Sequence, residues 1–279
     1  MLKLNQKFIP VLNTNAGMCL TGENWSEVGV NTLAVKLVLL MVKPGISVLK
    51  AIPNLNQYLG WSGDIILNCG DVIANREGIF TVISSYDGSK LQFTYTELLE
   101  LIHQLKPKAA LLPKKIMAVC PELLNQWDNS ILPFFAEEEL CTNPLIHSPG
   151  SYYHVTEQED LKTIQKKIAQ TSDRPCYLFG RINLELIRAL QDYDQILIES
   201  DIPANNAMNG YVYSNQDLVD LNSPMQSMNF TTISENCQCL TCSQHFTRAY
   251  LHHLLRNTPL LCQRFLIQHN ISYIQSAKL

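Results

Sequence analysis

"CYLFGRINLELIRALQDYDQILIE", residues 176–199, decides the fold class. Its two ends, "CYLFG" (176–180) and "QILIE" (195–199), are short apolar runs without polar alternation, the pattern of strands covered on both faces. Between them "NLELIRALQDY" (183–193) reads as a helix, so the whole is a parallel βαβ unit. Its second strand ends on Glu199, and α/β barrels carry their reacting groups at that end of a strand. A chain of 279 residues has room for one (β/α)8 barrel, about 250 residues, and a small appendage.

Working outward, extended and helical stretches keep alternating. "GDIILNCG" (63–70) is a strand, and "GIFTVISSYDG" (78–88) is a hairpin strand running into a turn. Thr94 and Glu97 form a capping box for a helix from Tyr95 to Leu105, with Leu98, Ile102 and Leu105 on one face and Pro107 beyond its end. "KAALLPKKIMAVC" (108–120) reads as a strand region. Thr156 and Glu159 make a second capping box, opening a helix to Gln170 that carries Leu161, Ile164 and Ile168 on one face. Residues 121–155 show no sustained period and are expected to be irregular, with one short helix at most.

Composition narrows the class. With 46% hydrophobic and 16% charged residues the chain is globular, and a formal charge of -4 gives no support to a generic nucleic-acid binder. The longest apolar run, "TLAVKLVLLMV" (32–42), is broken by Lys36 and falls short of the roughly 20 residues a spanning helix needs, so it is a buried element. No cleavable leader pattern follows the first lysines, and a cytoplasmic protein without membrane contact is expected. Nine cysteines, six of them scattered without rhythm, argue against a disulfide framework.

The other three cysteines are clustered. Cys237, Cys239 and Cys242 form C-x-C-x-x-C, and a helical segment downstream carries His269. Three thiolates and one imidazole are a tetrahedral zinc set; unligated thiols on a loop are the plainer alternative. His245, His252 and His253 compete for the fourth position. A helix starting near Ser243 turns His252 and His253 to surface or packing roles, whereas His269, at the end of the next helix, can close the site. A filled Cys3His set leaves no open position, which makes one zinc ion per chain a structural staple.

Here a resemblance becomes specific. "CQCLTC" (237–242), "FTRAYLHHLL" (246–255) and "FLIQHN" (265–270) resemble the zinc subdomain of the tRNA-guanine transglycosylases, which exchange an anticodon guanine for a queuosine precursor. "YLFGRINLELIRAL" (177–190), "SSYDGSK" (84–90) and "MVKPG" (41–45) are similar to further family segments, and residues 107–174 are left unmatched. The resemblance implies a TIM-type barrel, residues 1–230, with a zinc-binding helical subdomain, residues 231–279, packed on it. The unmatched middle leaves open whether all eight strands persist.

The resemblance also implies where chemistry belongs. The family nucleophile is an aspartate at a strand end; counting back from Pro203, Glu199 holds that position, one methylene longer. The family's second aspartate, an acid or base, corresponds to Asn68, which exchanges no proton near neutral pH. Asp71 lies three residues on. The plain alternatives are a solvated strand-end carboxylate for Glu199 and a turn residue for Asn68. Pro113 and Lys114 stand where a base-binding acid is expected, and Ala204, Asn205 and Met208 stand where the family grips tRNA, although Asn209 and Gly210 match. Lys106, Lys108, Lys114 and Lys115 read as a solvated face or a basic patch.

Three functions follow as expectations. The first is a catalytically impaired accessory or scaffold subunit, a homodimer or a heterodimer with a catalytic transglycosylase, with weak tRNA binding. The second is a base-exchange enzyme using Glu199. The third is a zinc-stabilised interaction protein that binds no RNA.

Overall fold

The computed structural model describes residues 6–140, 149–169, 171, 174–190, 193, 195–214 and 217–276. Eight parallel strands form one sheet: β1 (Phe8–Ile9), β2 (Thr32–Lys36), β3 (Asp64–Asn68), β4 (Ala109–Leu111), β5 (Leu132–Ala136), β6 (Gly150–Val155), β7 (Cys176–Gly180) and β8 (Ile196–Glu199). Each pairs with its successor, and β8 pairs with β1 through Ile9↔Glu199. Between β1 and β2 the ring closes on a parallel bridge, Val11↔Ala34, where Ala34 N–H donates to Pro10 O and Leu12 N–H to Ala34 O, both at 2.9 Å. The architecture is a TIM-type barrel with all eight strands.

Because successive side chains alternate, each strand splits its residues between two cores. Ile9, Ile66, Leu111, Phe134, Tyr177 and Leu197 are among those pointing inward, where they pack with the small Ala34, Ala109 and Ala136. The outward set, with Leu33, Leu67, Leu178 and Ile198, packs under the helices. Among these helices are α1 (Tyr95–Leu105), α2 (Leu161–Ala169), α3 (Leu184–Ala189) and α4 (Ile202–Met208). The capping box of Thr94 and Glu97 forms as the sequence reads, and Leu98, Ile102 and Leu105 are buried. An antiparallel hairpin, Ile79–Ile83 with Lys90–Thr94, rises between β3 and α1.

Several expectations need correction. Residues 121–155, expected to be irregular, contain β5 and β6, two full members of the ring. "LPFFA" was obscured by Pro133, which removes a ladder donor. That loss is harmless here, because β6 begins pairing one residue later, at Phe134↔Gly150. Gly150 is itself required, since a Cβ there would lie 2.3 Å from the Phe134 ring. In "KAALLPKKIMAVC" only Ala109–Leu111 is strand, and Ile116–Val119 is a short helix. The link from β4 to β5 consists of that helix and a 3-10 segment, Pro121–Gln126, in place of a full crossover helix. Thr156 and Glu159 form only half of the expected box, Glu159 Oε2 accepting from Thr156 N–H at 2.9 Å, and α2 starts later, at Leu161, with Asp160 accepting from Thr163 N–H at 2.9 Å. The expected end at Gln170 lies outside the described residues.

After β8 the chain makes α4, a hairpin (Tyr211–Ser214 with Asp217–Asp220), and two helices, α5 (Arg248–Asn257) and α6 (Pro259–Ser276). The helix expected from Ser243 is a short one, Leu240–Ser243, and α5 begins later behind a Thr247 cap. His269 lies in the body of α6 rather than at its end. α6 packs along α4, and Arg188 of α3 donates to its Tyr273 hydroxyl at 3.2 Å. No helix among the described residues is long and apolar enough to cross a membrane.

Candidate functional site

At the C-terminal end of the strands the fold brings Glu199 and Asn68 together. Each is the last residue of its strand, and Tyr177, paired in register with Leu197, turns its ring into the same interior. Glu199 Oε2 accepts two hydrogen bonds of 2.8 Å, from Asn68 Nδ2 and from the Tyr177 hydroxyl. Asn68 Oδ1 in turn accepts from Gly70 N–H at 2.9 Å, so Asn68 serves both as a turn residue and as a donor to the carboxylate. Lys36, the register partner of Asn68, is held by Asn13, which accepts its backbone N–H at 2.9 Å and donates to its carbonyl at 2.8 Å.

Glu199 is 2% exposed and Asn68 0%, so the solvated strand-end carboxylate of the plainer sequence reading is not what the fold makes. Burial pushes the Glu199 carboxyl up to about 7. The Asn68 bond, the Lys36 charge and the Tyr177 bond all favour the ionised form, but together they do not offset the lost hydration, and Asp71 adds to the upward push. Aromatic rings fill the neighbouring space. Tyr152 donates to Leu112 O at 2.8 Å, and a Cβ on Gly70 would meet Tyr152 and Phe179 at 3.1 and 3.2 Å. His154 stacks on Phe179 with centroids 4.8 Å apart. Covalent attack needs reacting atoms within about 3 to 3.5 Å of each other, and the enclosed carboxylate has both donors on one oxygen.

Asp71, Pro113, Lys114 and α4 follow the C-terminal ends of β3, β4 and β8, whereas Lys106 and Lys108 precede β4 at the opposite end of the barrel. Pro113 is buried, and Lys114 pairs with Glu138 at 2.8 Å. Lys115 donates its backbone N–H to Glu139. Lys106 ends α1 in the left-handed region with φ 52°. Ala204 is buried in α4, where Asn205 and Met208 are half-buried, and none of the three supplies a cation. Asp71 is exposed.

The second constellation is the cysteine cluster. Cys239 caps the short helix Leu240–Ser243 and its sulfur accepts from Cys242 N–H at 3.4 Å, while Cys237 sits just upstream. His269 Nδ1 lies 3.7, 3.4 and 3.4 Å from the sulfurs of Cys237, Cys239 and Cys242. Bonds of about 2.3 Å to sulfur and about 2.0 Å to nitrogen at a tetrahedral angle put S and N about 3.6 Å apart, so the donor set fits a zinc ion. His269 Nε2 is 2.8 Å from Tyr213 O; a carbonyl only accepts, so the proton is on Nε2 and the Nδ1 lone pair faces the sulfurs. Cys237 is pulled down by hydrogen bonds from Cys239 and Cys242, whereas Cys242 is pushed up by Cys237 and Cys239: crowded thiols share protons that a cation would replace.

Two rival histidines are committed elsewhere: His252 Nδ1 bonds Leu221 O at 2.7 Å and His253 faces Asn257. His245, in a left-handed turn with φ 57°, is not among the converging ligand atoms. All four expected ligand atoms lie within 4.8 Å of one another, so these residues could hold a metal ion.

Sequence reasoning missed the residues that orient these groups. Tyr177 was read only as part of a strand. Asn270 accepts from Tyr213 N–H and donates to Pro203 O and Tyr211 O, all at 3.0 Å, fixing α6 to the hairpin and to α4. Gln268 donates to Glu27 at 3.2 Å, while His269 and Asn270 both bond the backbone of Tyr213. Arg248 donates to Thr232 O at 3.1 Å and to Ile233 O at 2.8 Å, pinning the segment that leads to Cys237. The available signal was a run of polar residues inside an otherwise packed helix.

Comparison with known proteins agrees with this layout. Residues 146–277 match the family described as queuine tRNA-ribosyltransferase. A queuine tRNA-ribosyltransferase of Nitrosomonas eutropha is 38% identical over 104 residues, 37% of this chain but only 28% of that protein's length. Those of Blochmanniella floridana and Thermotoga neapolitana are 22% and 25% identical over 96% of this chain, covering 82% and 84% of theirs. The 316 aligned positions with the Blochmanniella protein exceed the 279 residues here, so the relative carries internal segments that this chain lacks. Barrel, Cys3His group and sequence likeness together make the chain similar to the queuine tRNA-ribosyltransferases (tRNA-guanine transglycosylases), at low identity over most of its length.

Proposed function

We propose that the chain is a transglycosylase-type scaffold that does not itself exchange bases and acts as an accessory subunit, in a homodimer or beside a catalytic transglycosylase. The observation that carries this reading is the enclosed Glu199 carboxylate, 2% exposed and bonded through one oxygen to Asn68 and Tyr177. In that state the group at the nucleophile position is tied through one oxygen inside the barrel, and the acid–base position offers an amide. Ala204, Asn205 and Met208 supply no charge for phosphates, so tRNA affinity is weak or comes from the partner. Pairing is favoured by an apolar surface on the C-terminal module: Met225, Met228 and Phe230 are 85%, 74% and 68% exposed on or beside a segment packed against α5. One structural zinc ion per chain, held by Cys237, Cys239, Cys242 and His269, would fix that module. With four protein ligands it offers no position for substrate.

Incubation with unmodified tRNA and labelled guanine tests the reading. The chain alone is expected to incorporate no label and form no covalent RNA adduct, and sedimentation at micromolar concentration is expected to show a dimer. Label incorporation that is lost in Glu199→Ala would establish the base-exchange enzyme instead.

A further inference from the structure

The Cys3His set is not equally shielded. Cys239, Cys242 and His269 are buried, at 5%, 5% and 0% exposure, whereas Cys237 is only half-buried. A polar cleft of about 540 Å³ opens on it, walled by Thr231, Ser234, Glu235, Gln238 and His245, and Cys242 reaches the same cleft. Cys239 does not line it, and its sulfur is engaged by the Cys242 N–H. A closed metal site needs no such opening.

We infer that Cys237 is an oxidation site, at which a small peroxide entering this cleft converts the Cys237–Cys242 thiolate pair to a disulfide and expels the metal ion. This inference rests on the zinc reading above. The peroxide oxygen remote from its leaving group is transferred to the Cys237 sulfur as the O–O bond breaks, giving a sulfenic acid and one hydroxide. The Cys242 thiolate then attacks that sulfur, forms the S–S bond and displaces a second hydroxide. Two thiolates have lost two electrons, and the peroxide has gained them. The geometry allows the second step, because the ligand atoms lie within 4.8 Å of one another.

The other half-buried thiols among the described residues lack this chemistry. Burial pushes Cys19 and Cys120 up, which keeps them as protonated thiols, the less nucleophilic form. Losing two of four ligands removes the clasp between the Cys237–Cys242 loop and α6, so oxidation would loosen the module that carries Met225, Met228 and Phe230. Peroxide would then act on pairing.

The test uses the purified full chain. Elemental analysis first gives its zinc content; a chain without zinc fails the zinc reading itself, and this inference with it. Zinc-loaded protein is then titrated with hydrogen peroxide beside a chromophoric chelator, and its thiols are mapped by differential alkylation and mass spectrometry. The expected result is zinc release in step with a Cys237–Cys242 disulfide, while Cys19, Cys120 and Cys239 remain free. Cys237→His keeps a ligand but removes the oxidisable sulfur, and its release rate should fall by about tenfold or more. Zinc retained under peroxide, first modification at Cys19, Cys120 or Cys239, or undiminished release in Cys237→His would overturn the inference.

Discussion

The two constellations of this chain are built in opposite ways. At the barrel mouth a carboxylate meets two neutral donors on one oxygen and is closed in by rings. At the cysteine cluster four donor atoms converge, with the histidine tautomer fixed by Tyr213, and together they could hold a cation. The first arrangement favours a neutral, proton-bearing group and the second favours charge.

Removing the cation should have the largest effect. Chelation, or Cys239→Ser, is expected to cost on the order of 5 kcal/mol and to melt α6 away from the hairpin, because metal-binding energy is folding energy. Circular dichroism melts with and without chelator measure it; an unchanged melting curve would remove the contrast between the two regions.

The next effect belongs to Glu199 and depends on pH. Its carboxyl is raised to about 7 in the folded chain from an ordinary 4.5, so the folded state binds the proton more tightly than the unfolded state. That stabilisation is fully present below pH 4.5 and is lost as pH rises through 7, a swing of about 3 kcal/mol. Glu199→Gln, which stays neutral and keeps an oxygen for Asn68 and Tyr177, should be the more stable chain at pH 8 and match the parent at pH 4. Equal melting temperatures at both pH values would mean that the mouth is open to water.

The smallest effect sharpens the same point. Tyr177→Phe deletes one of the two donors to Glu199, at a cost of about 1 kcal/mol, and the difference should widen above pH 7, where the carboxylate is ionised. Guanidinium titrations at pH 5 and pH 8 would show it. A pH-independent loss would assign Tyr177 a packing role alone.

The parts legible beforehand share a feature: each is written within a few neighbouring residues. Thr94 with Glu97, the apolar ends of the 176–199 unit and the C-x-C-x-x-C spacing carry their geometry locally. β5 and β6 were not legible, because "LPFFA" holds a proline that only its place in the ring makes harmless, and Gly150 makes sense only against Phe134. The state of Glu199 was hidden for a related reason. Asn68 is 131 positions away, and Tyr177 is 22 away on the adjacent strand.

By itself, the order of residues determined which side chains can bind a soft cation, where helices begin, and that parallel strands alternate with them, since those outcomes depend on side-chain chemistry and short-range periodicity. Tertiary structure alone decided that the carboxylate at the strand end is enclosed and meets Asn68 and Tyr177. That outcome depends on hydration lost when β3 faces the adjacent β7 and β8 across the barrel, and no single segment of the chain contains it.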